Sequence, residues 1–485
     1  VVAPRASTWR GALALASLAA ACTSDATTLV APRIVTPAAG EPGAVLDDLD
    51  ELVLAVAVAG DGDDLAAATF ARGEALELTS VPPQDGLVVH LRGNVNDAIV
   101  GYGRTCALDA SAGGAAPAPL LFFSRTVQWA RQEPPPVSDR RGGVAITDAT
   151  GAAVLLGGRD AAGAVVTAIE RFDPRRGETA TLGEVRARDG GTVLPLPDGR
   201  VAIFGGTAGD VPLEVLELVD PLAPTAAAVD ALDDPRLART GAAATTLSDG
   251  ALIVVGGEVE GAPAADVIEL RLDGGTLGLR TIGASLATAR RGATATRLSD
   301  DLGAAVLVAG GDDAGGVVAV AELYKPLREG FADPAAFAPT MVTPRTGHRA
   351  VLLADGSVLF VGGIDAAGAV VRTLETFSLD AGFVDVGTLP DGAGVVDASL
   401  TPLPDGRLLI AGGRRELDGP AVDDAFIVRV DPVDGSLDVV ATAPLTTPRA
   451  GHQATPLCDG TILLVGGAAP GTSAERYQPT AAGRR

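Results

Sequence analysis

From residue 131 to residue 480 the chain repeats one order of apolar and polar positions. A short stretch such as GHRAVLLADG (347–356) or GHQATPLCDG (451–460) runs into a turn that is usually Asp-Gly. An unbroken apolar run follows and closes on two glycines, as in DGSVLFVGG. The pairs end at Gly158, Gly206, Gly257, Gly311, Gly363, Gly413 and Gly467, at spacings of 48, 51, 54, 52, 50 and 54 residues. Asp-Gly supplies the positive φ that a tight hairpin needs, so the first two stretches predict paired strands. A continuous apolar run suits a strand buried on both faces. Glycine at its end lets backbones approach where a side chain would collide. A third strand is predicted at AIERFDP (168–174), VLELVDP (215–221) and AERYQP (474–479), and a weaker fourth at SLDVVATAPL (436–445). Four strands per unit, recurring at a period near 50, predict an all-β, seven-bladed β-propeller over residues 131–480.

The segments before it follow other patterns. Runs such as LVLAVAV (52–58), LVVHLRG (87–93) and LLFFS (120–124) are short, partly alternating and divided by turn residues. They predict a small, Ig-like β-sandwich over residues 45–130. Residues 23–44 are polar, Pro-containing and aperiodic, and read as a flexible tether. Residues 1–22 carry Arg5 and Arg10, an apolar run from Gly11 to Ala21, and then Cys22. The run is too short to span a bilayer and has the shape of a secretory signal. LAAAC resembles a bacterial lipobox, which would make Cys22 the lipidated residue, and Thr23 after it points to the outer membrane. An ordinary signal peptide cleaved after Ala19-x-Ala21 is the other reading.

The glycine pair after the second strand, with an Arg-x-Gly before the first, resembles the kelch family. The resemblance covers residues 131–480 and extends to the galactose-oxidase central domain. The fourth strands lack the Trp common in eukaryotic kelch repeats, and the pattern DGxVLxxGG is closer to bacterial kelch-type propellers. Arg140, Arg188, Arg239, Arg290, Arg345 and Arg449 each stand two residues before a glycine that opens a unit. Glu170, Glu217, Glu269, Glu322, Glu375 and Glu475 recur in the third strand. The sixth unit lacks both, with DGAGVVDASL (391–400) in place of the Arg and Val428 in place of the Glu. Joint loss is what a buried ion pair predicts, because removing one partner strands the other charge. The twelve residues are therefore expected to form structural clips within units.

The seventh unit has no room for a fourth strand. TVQWARQEPPPVSDRRG (126–142) resembles LDVVATAPLTTPRAG (437–451) and either supplies that strand or, through LLFFSRTVQWA, ends the preceding domain.

Composition narrows the function. The chain is 47% hydrophobic but 3% aromatic, so its core is aliphatic. A net charge of −24 argues against nucleic-acid binding. Cys106 and Cys458 are expected to be separate thiols rather than a bond. AGDGDDL (59–65) lacks the later residues of a calcium loop and reads as a polar hairpin. Some kelch-type propellers are copper radical oxidases, with two Tyr, two His and a Tyr-bonded Cys. Here His348 and His452 share one repeat position, Tyr324 and Tyr477 another, and His90 lies outside the repeat, so no metal, cofactor or catalytic set is expected. Loops on one face, including GGRRELDGPAVDD (412–424) with Arg414 and Arg415, are the variable elements. The expected role is that of an exported, lipid-anchored binding or scaffold module at the cell envelope. Its partner would be a protein or a glycan, and its only membrane contact the lipid. The alternative is a carbohydrate-active enzyme with its site in the propeller channel.

Overall fold

A computed structural model describes residues 28–60, 63–71, 74–81, 84–109, 118–135, 140–223, 228–299, 304–467 and 474–480. Among the described residues the regular structure is strands and three-residue 3-10 turns, with no α-helix. Seven sheets of four antiparallel strands run in sequence order. The first contains Val144–Thr147, Ala153–Leu156, Ala168–Asp173 and Glu178–Glu184. In every sheet the second strand is the apolar run before the glycine pair, and Val358–Val361 is buried at all four positions.

Consecutive sheets pack face to face. Each of the seven interfaces holds its own apolar cluster, from the one between the first and second sheets to the one between the seventh and the first. The inner strands meet as well: Thr294–Arg297 lies against Arg349–Leu352, and Gln453–Pro456 lies against both Ser399–Pro402 and Val144–Thr147. The array thus returns on itself.

The closing strand comes from the other end of the chain. Gln128–Arg131 pairs antiparallel with Ala474–Gln478, setting Trp129 opposite Tyr477. The two rings pack at a tilt of 50° with centroids 4.9 Å apart, and the indole N–H donates to the Ala443 carbonyl at 2.9 Å. Of the two placements open for this segment, the structure selects the seventh sheet. Ser124 and Arg125, just upstream, belong instead to the sheet of the preceding domain.

That domain has a central sheet ordered Ser124–Arg125, Ala98–Arg104, Asp85–Val95, Glu51–Val58 and Asp64–Phe70, with Leu108–Asp109 beside Asp85–Val95. Two short pairs accompany it, Thr28–Val30 with Leu78–Val81 and Arg33–Val35 with Leu120–Phe122. Leu54, Val56, Val89 and Leu91 of the sheet pack with Val30, Val81 and Leu121 of these pairs. Residues 28–35, read from sequence as part of a tether, are therefore strands. Each is only three residues long with one partner strand, too short to show a period in the sequence.

The cysteines require a second correction. Cys106 and Cys458 form a disulfide with Cα atoms 4.9 Å apart, across 352 residues of sequence. Cys458 sits in the Cys-Asp-Gly turn of the seventh sheet; its N–H donates to Gly151 of the first sheet, and its carbonyl accepts from Arg104 of the small domain at 2.9 Å. Beside it, buried Arg476 pairs with Asp459 and lies 4.0 Å from the centroid of the Phe122 ring. The small domain is thus docked on the turn face, at the first and seventh sheets.

Candidate functional site

The candidate site is the opposite end of the ring, where the segments joining sheets and the loops after the glycine pairs meet. Its frame is set by buried charge. Arg140 lies 2.9 Å from Glu170, Arg290 is 2.7 Å from Glu322, and Arg345–Glu375 and Arg449–Glu475 each stand at 2.5 Å. Arg188 pairs with Glu217 in the same way. All ten side chains are buried. Burial holds the guanidinium pKa values of Arg140, Arg188, Arg290 and Arg345 below their usual value, with the carboxylate opposing the shift. Each arginine also donates to the carbonyl of the first glycine in the pair, for example Arg449 to Gly466 at 2.8 Å. The glutamates accept backbone N–H groups from the segment entering the sheet: Glu375 from Val342 and Thr343 at 2.8 Å, Glu322 from Ala287 at 2.7 Å. One pair therefore fastens the entry segment, the end of the second strand and the third strand together.

Two sheets depart from this scheme. In the third, Arg239 pairs with Asp266 at 2.9 Å, while Glu269 binds Arg280 at 2.8 Å and Arg271 at 3.2 Å. The cause is register. Glu375 stands opposite Phe360, the third residue of its apolar run, whereas Glu269 stands opposite Ile253, the second. A one-residue step reverses the face to which a side chain points. The expected Arg239–Glu269 clip is therefore absent. In the sixth sheet the residue opposite Ile410 is Phe426, so Phe426, not Val428, takes the place of the glutamate. Val395 and Phe426 are both buried in one apolar cluster, which replaces the charges by packing.

The glycines follow from the same crowding. A Cβ on Gly310 (φ +63°) would lie 2.5 Å from the Arg345 carbonyl of the next sheet, and one on Gly466 would collide with the Arg140 carbonyl. Second glycines donate across the same seam: Gly257 to Arg290, Gly311 to Arg345, and Gly467 to Arg140 at 3.1 Å, which joins the last sheet to the first. At the mouth, Gly142 donates to Gly451 at 2.7 Å, Gly451 to Asp397 at 2.8 Å and Gly347 to Gly292 at 3.0 Å.

Exposed charge at this end is mostly paired, either between neighbouring sheets or within one sheet's own loops. Arg159 binds Asp189 at 2.7 Å, and Arg291 binds Asp312 at 3.0 Å and also Glu258. Arg414 is 3.5 Å from Asp397, and Arg415 is 3.0 Å from Asp424. The inner strands differ. Seven strands of four residues carry no carboxylate, and their only charged residues are Arg297 and Arg349. The sequence reading passed over these two, because the pattern marks inner strands only by alternation.

The remaining chemistry-bearing residues are spread apart. His348 donates to or accepts from Thr294 at 2.9 Å, and His452 does the same with Ser399. Burial, with nearby arginines, depresses both imidazoles to about 3. His90 bonds Tyr102 at 2.7 Å in the small domain. Tyr324 packs on Phe331, and burial pushes its phenol up to about 12. Tyr477 packs against Trp129. Cys22 lies outside the described residues, as do Gly62 of the 59–65 run and the loop 468–473.

No protein-family model and no curated protein matches the chain. Solved structures do. One is described as a novel fungal alcohol oxidase with catalytic diversity among the AA5 family, in complex with copper; it is 16% identical, covers 72% of this chain and 75% of its own, and has a TM-score of 0.57. A second, the structure of YjhT, is 14% identical, covering 59% of this chain and 93% of its own with a TM-score of 0.44. The fold is a kelch/galactose-oxidase-like β-propeller. The likeness does not carry copper with it. Among the described residues no three His, Cys, Asp or Glu side chains are placed to share a metal. Cys106 and Cys458 are spent on each other, and the two buried histidines hydrogen-bond hydroxyls of different sheets.

Proposed function

We propose that the seven sheets are the blades of one closed propeller. In this reading residues 45–130, with strands 28–35, form a small β-sandwich riding on it. The whole is an exported, non-catalytic binding or scaffold module at the cell envelope. The observation that carries the reading is the Cys106–Cys458 disulfide. Such bonds persist in oxidising compartments and are rare in reducing ones, which favours export. Lipidation at Cys22 would hold the protein at the outer membrane or cell surface. The disulfide-bearing turn face is occupied by the small domain, so the loop end is the surface offered to a protein or glycan partner.

The test has two arms. Cells fed a labelled fatty acid should label the parent and not Cys22→Ala, and protease added to intact cells should reach the parent. A glycan array and a crosslinking pull-down with the purified chain should then find a partner whose binding is lost on changing the 412–424 loop. Cytoplasmic, unlabelled protein with free thiols would overturn the reading. A carbohydrate-active enzyme with its site in the propeller channel is the second reading; inner strands free of carboxylates count against a hydrolase, which uses a pair of them. Turnover of a sugar substrate by the purified chain would establish it.

A further inference from the structure

Among the described residues, the Asp-Gly turns that join first to second strands each hold an arginine of their own sheet, with one exception. Asp198 binds Arg200 at 2.8 Å, Asp249 binds Arg271 at 2.8 Å, Asp405 binds Arg407 at 2.5 Å, and buried Asp459 binds Arg476. Asp355 of the fifth sheet has no ion pair among the described residues; its printed partners are the N–H and hydroxyl of Ser357, both on Oδ1.

The seventh sheet shows what is missing. Arg476 stands opposite Leu463, the second residue of its apolar run. From there its Nη2 donates to Asp459, and its Nε and Nη2 donate to the Thr461 hydroxyl at 3.1 and 2.9 Å. At the same register in the fifth sheet, opposite Leu359, stands Thr376. The turn is otherwise alike, for Ser357 donates to Asp355 at 2.7 Å as Thr461 does to Asp459. Where the arginine is lost there is space. A cleft of about 730 Å³ opens between the fifth and sixth sheets, lined by Thr376, Ser357 and Asp355. All its charged lining residues are aspartates; Asp380, Asp385, Asp431 and Asp434 are the others, and none has an ion pair among the described residues. Val386 and Val430 give it an apolar wall, and no lining residue belongs to the small domain.

We infer that this cleft is a socket for an arginine side chain of a partner protein, whose guanidinium takes on Asp355 and Ser357 the place that Arg476 takes on Asp459 and Thr461. Charge alone does not single the cleft out; the guanidinium held by the matching turn of the same chain does. Guanidinium groups match carboxylates with charge-assisted hydrogen bonds in a fixed geometry. The further aspartates, in a chain of net charge −24, draw a cation to the opening. The valine wall covers the aliphatic stem of the incoming side chain. The cleft lies at the turn end, so the inference goes beyond the loop-end reading and does not depend on it.

Titration calorimetry of the full chain with the blocked tripeptide acetyl-Val-Arg-Val-amide, and with its citrulline isostere as neutral counterpart, tests this. The arginine peptide should bind saturably and the citrulline peptide at least about tenfold more weakly. Asp355→Asn should weaken the arginine peptide about tenfold. Thr376→Arg should place the chain's own guanidinium on Asp355, as in the seventh sheet, and abolish binding, with a melting temperature no lower than the parent's. Asp249→Asn, on a turn that already holds Arg271, should bind as the parent does. Equal binding of the citrulline peptide, unchanged binding in both Asp355→Asn and Thr376→Arg, or no saturable binding at millimolar concentrations would overturn the inference. A partner captured through the 412–424 loop alongside any of those results would leave the loop-end reading standing.

Discussion

Glu269 stands opposite Ile253, one register step from the position that would bring it to the buried Arg239. It binds half-exposed Arg280 and Arg271 instead. The repeat therefore contains two kinds of glutamate that look alike in sequence. Glu375→Ala leaves Arg345 buried without its carboxylate and two N–H groups without an acceptor, and should cost about 3–5 kcal/mol. Glu269→Ala removes bonds to partly solvated partners and should cost about 1 kcal/mol. Urea unfolding of the two variants checks the contrast; equal losses would mean that the buried clip carries no special weight.

The sixth sheet supplies the apolar solution to the same position. Arg345→Val with Glu375→Phe copies its Val395 and Phe426. Replacing a buried ion pair by packed apolar groups is often neutral, whereas halving it is not. The double variant should be more stable than either single one. Denaturation of the three proteins measures the coupling, and simple additivity would count against it.

Gly310→Ala places a Cβ against the Arg345 carbonyl at positive φ, and should destabilise by more than about 2 kcal/mol. Gly163 also has positive φ (+82°) but open space around its Cβ position, so Gly163→Ala should cost about 1 kcal/mol. Thermal melts of the two separate crowding from backbone strain.

Reducing the Cys106–Cys458 bond frees a closed loop of 352 residues and should lower stability by about 2–5 kcal/mol. Cys106→Ala with Cys458→Ala should reproduce the loss and become insensitive to reductant. Melting with and without dithiothreitol reads both.

His348 and His452 titrate near 3 in the folded chain, against about 6.5 when unfolded. Below 6.5 the unfolded chain takes up protons that the folded one refuses. Their contribution is thus fully present above pH 6.5 and is lost as pH falls toward 3. His452→Asn should flatten the fall of melting temperature between pH 7 and 4. The comparison is with the parent at each pH.

Much of the fold was readable because its causes are local. Asp-Gly turns, apolar runs and glycine pairs each act within about ten residues, so seven units could be counted along the chain. The clips at Arg140, Arg345 and Arg449 were visible for a related reason: joint loss in one unit marks a pair. What escaped depends on register or on distance. A single step of pairing hid the true place of Glu269, and two steps hid Phe426. The Cys106–Cys458 bond joins turns of different domains, and no spacing rule reaches across 352 residues. Gln453 was overlooked because what matters about it is the Gly143 backbone that its amide meets in the next sheet.

The strand Gln128–Arg131 has a further consequence for how the molecule is made. A ribosome delivers it first among the ring's strands and its partner, Ala474–Gln478, last. Until synthesis is nearly complete, an unpaired edge waits in the open, where it could recruit the wrong neighbour. Assembly of the seventh sheet is therefore an end-of-translation event, and a chain stopped short of residue 474 is an unfinished, adhesive object rather than a smaller propeller.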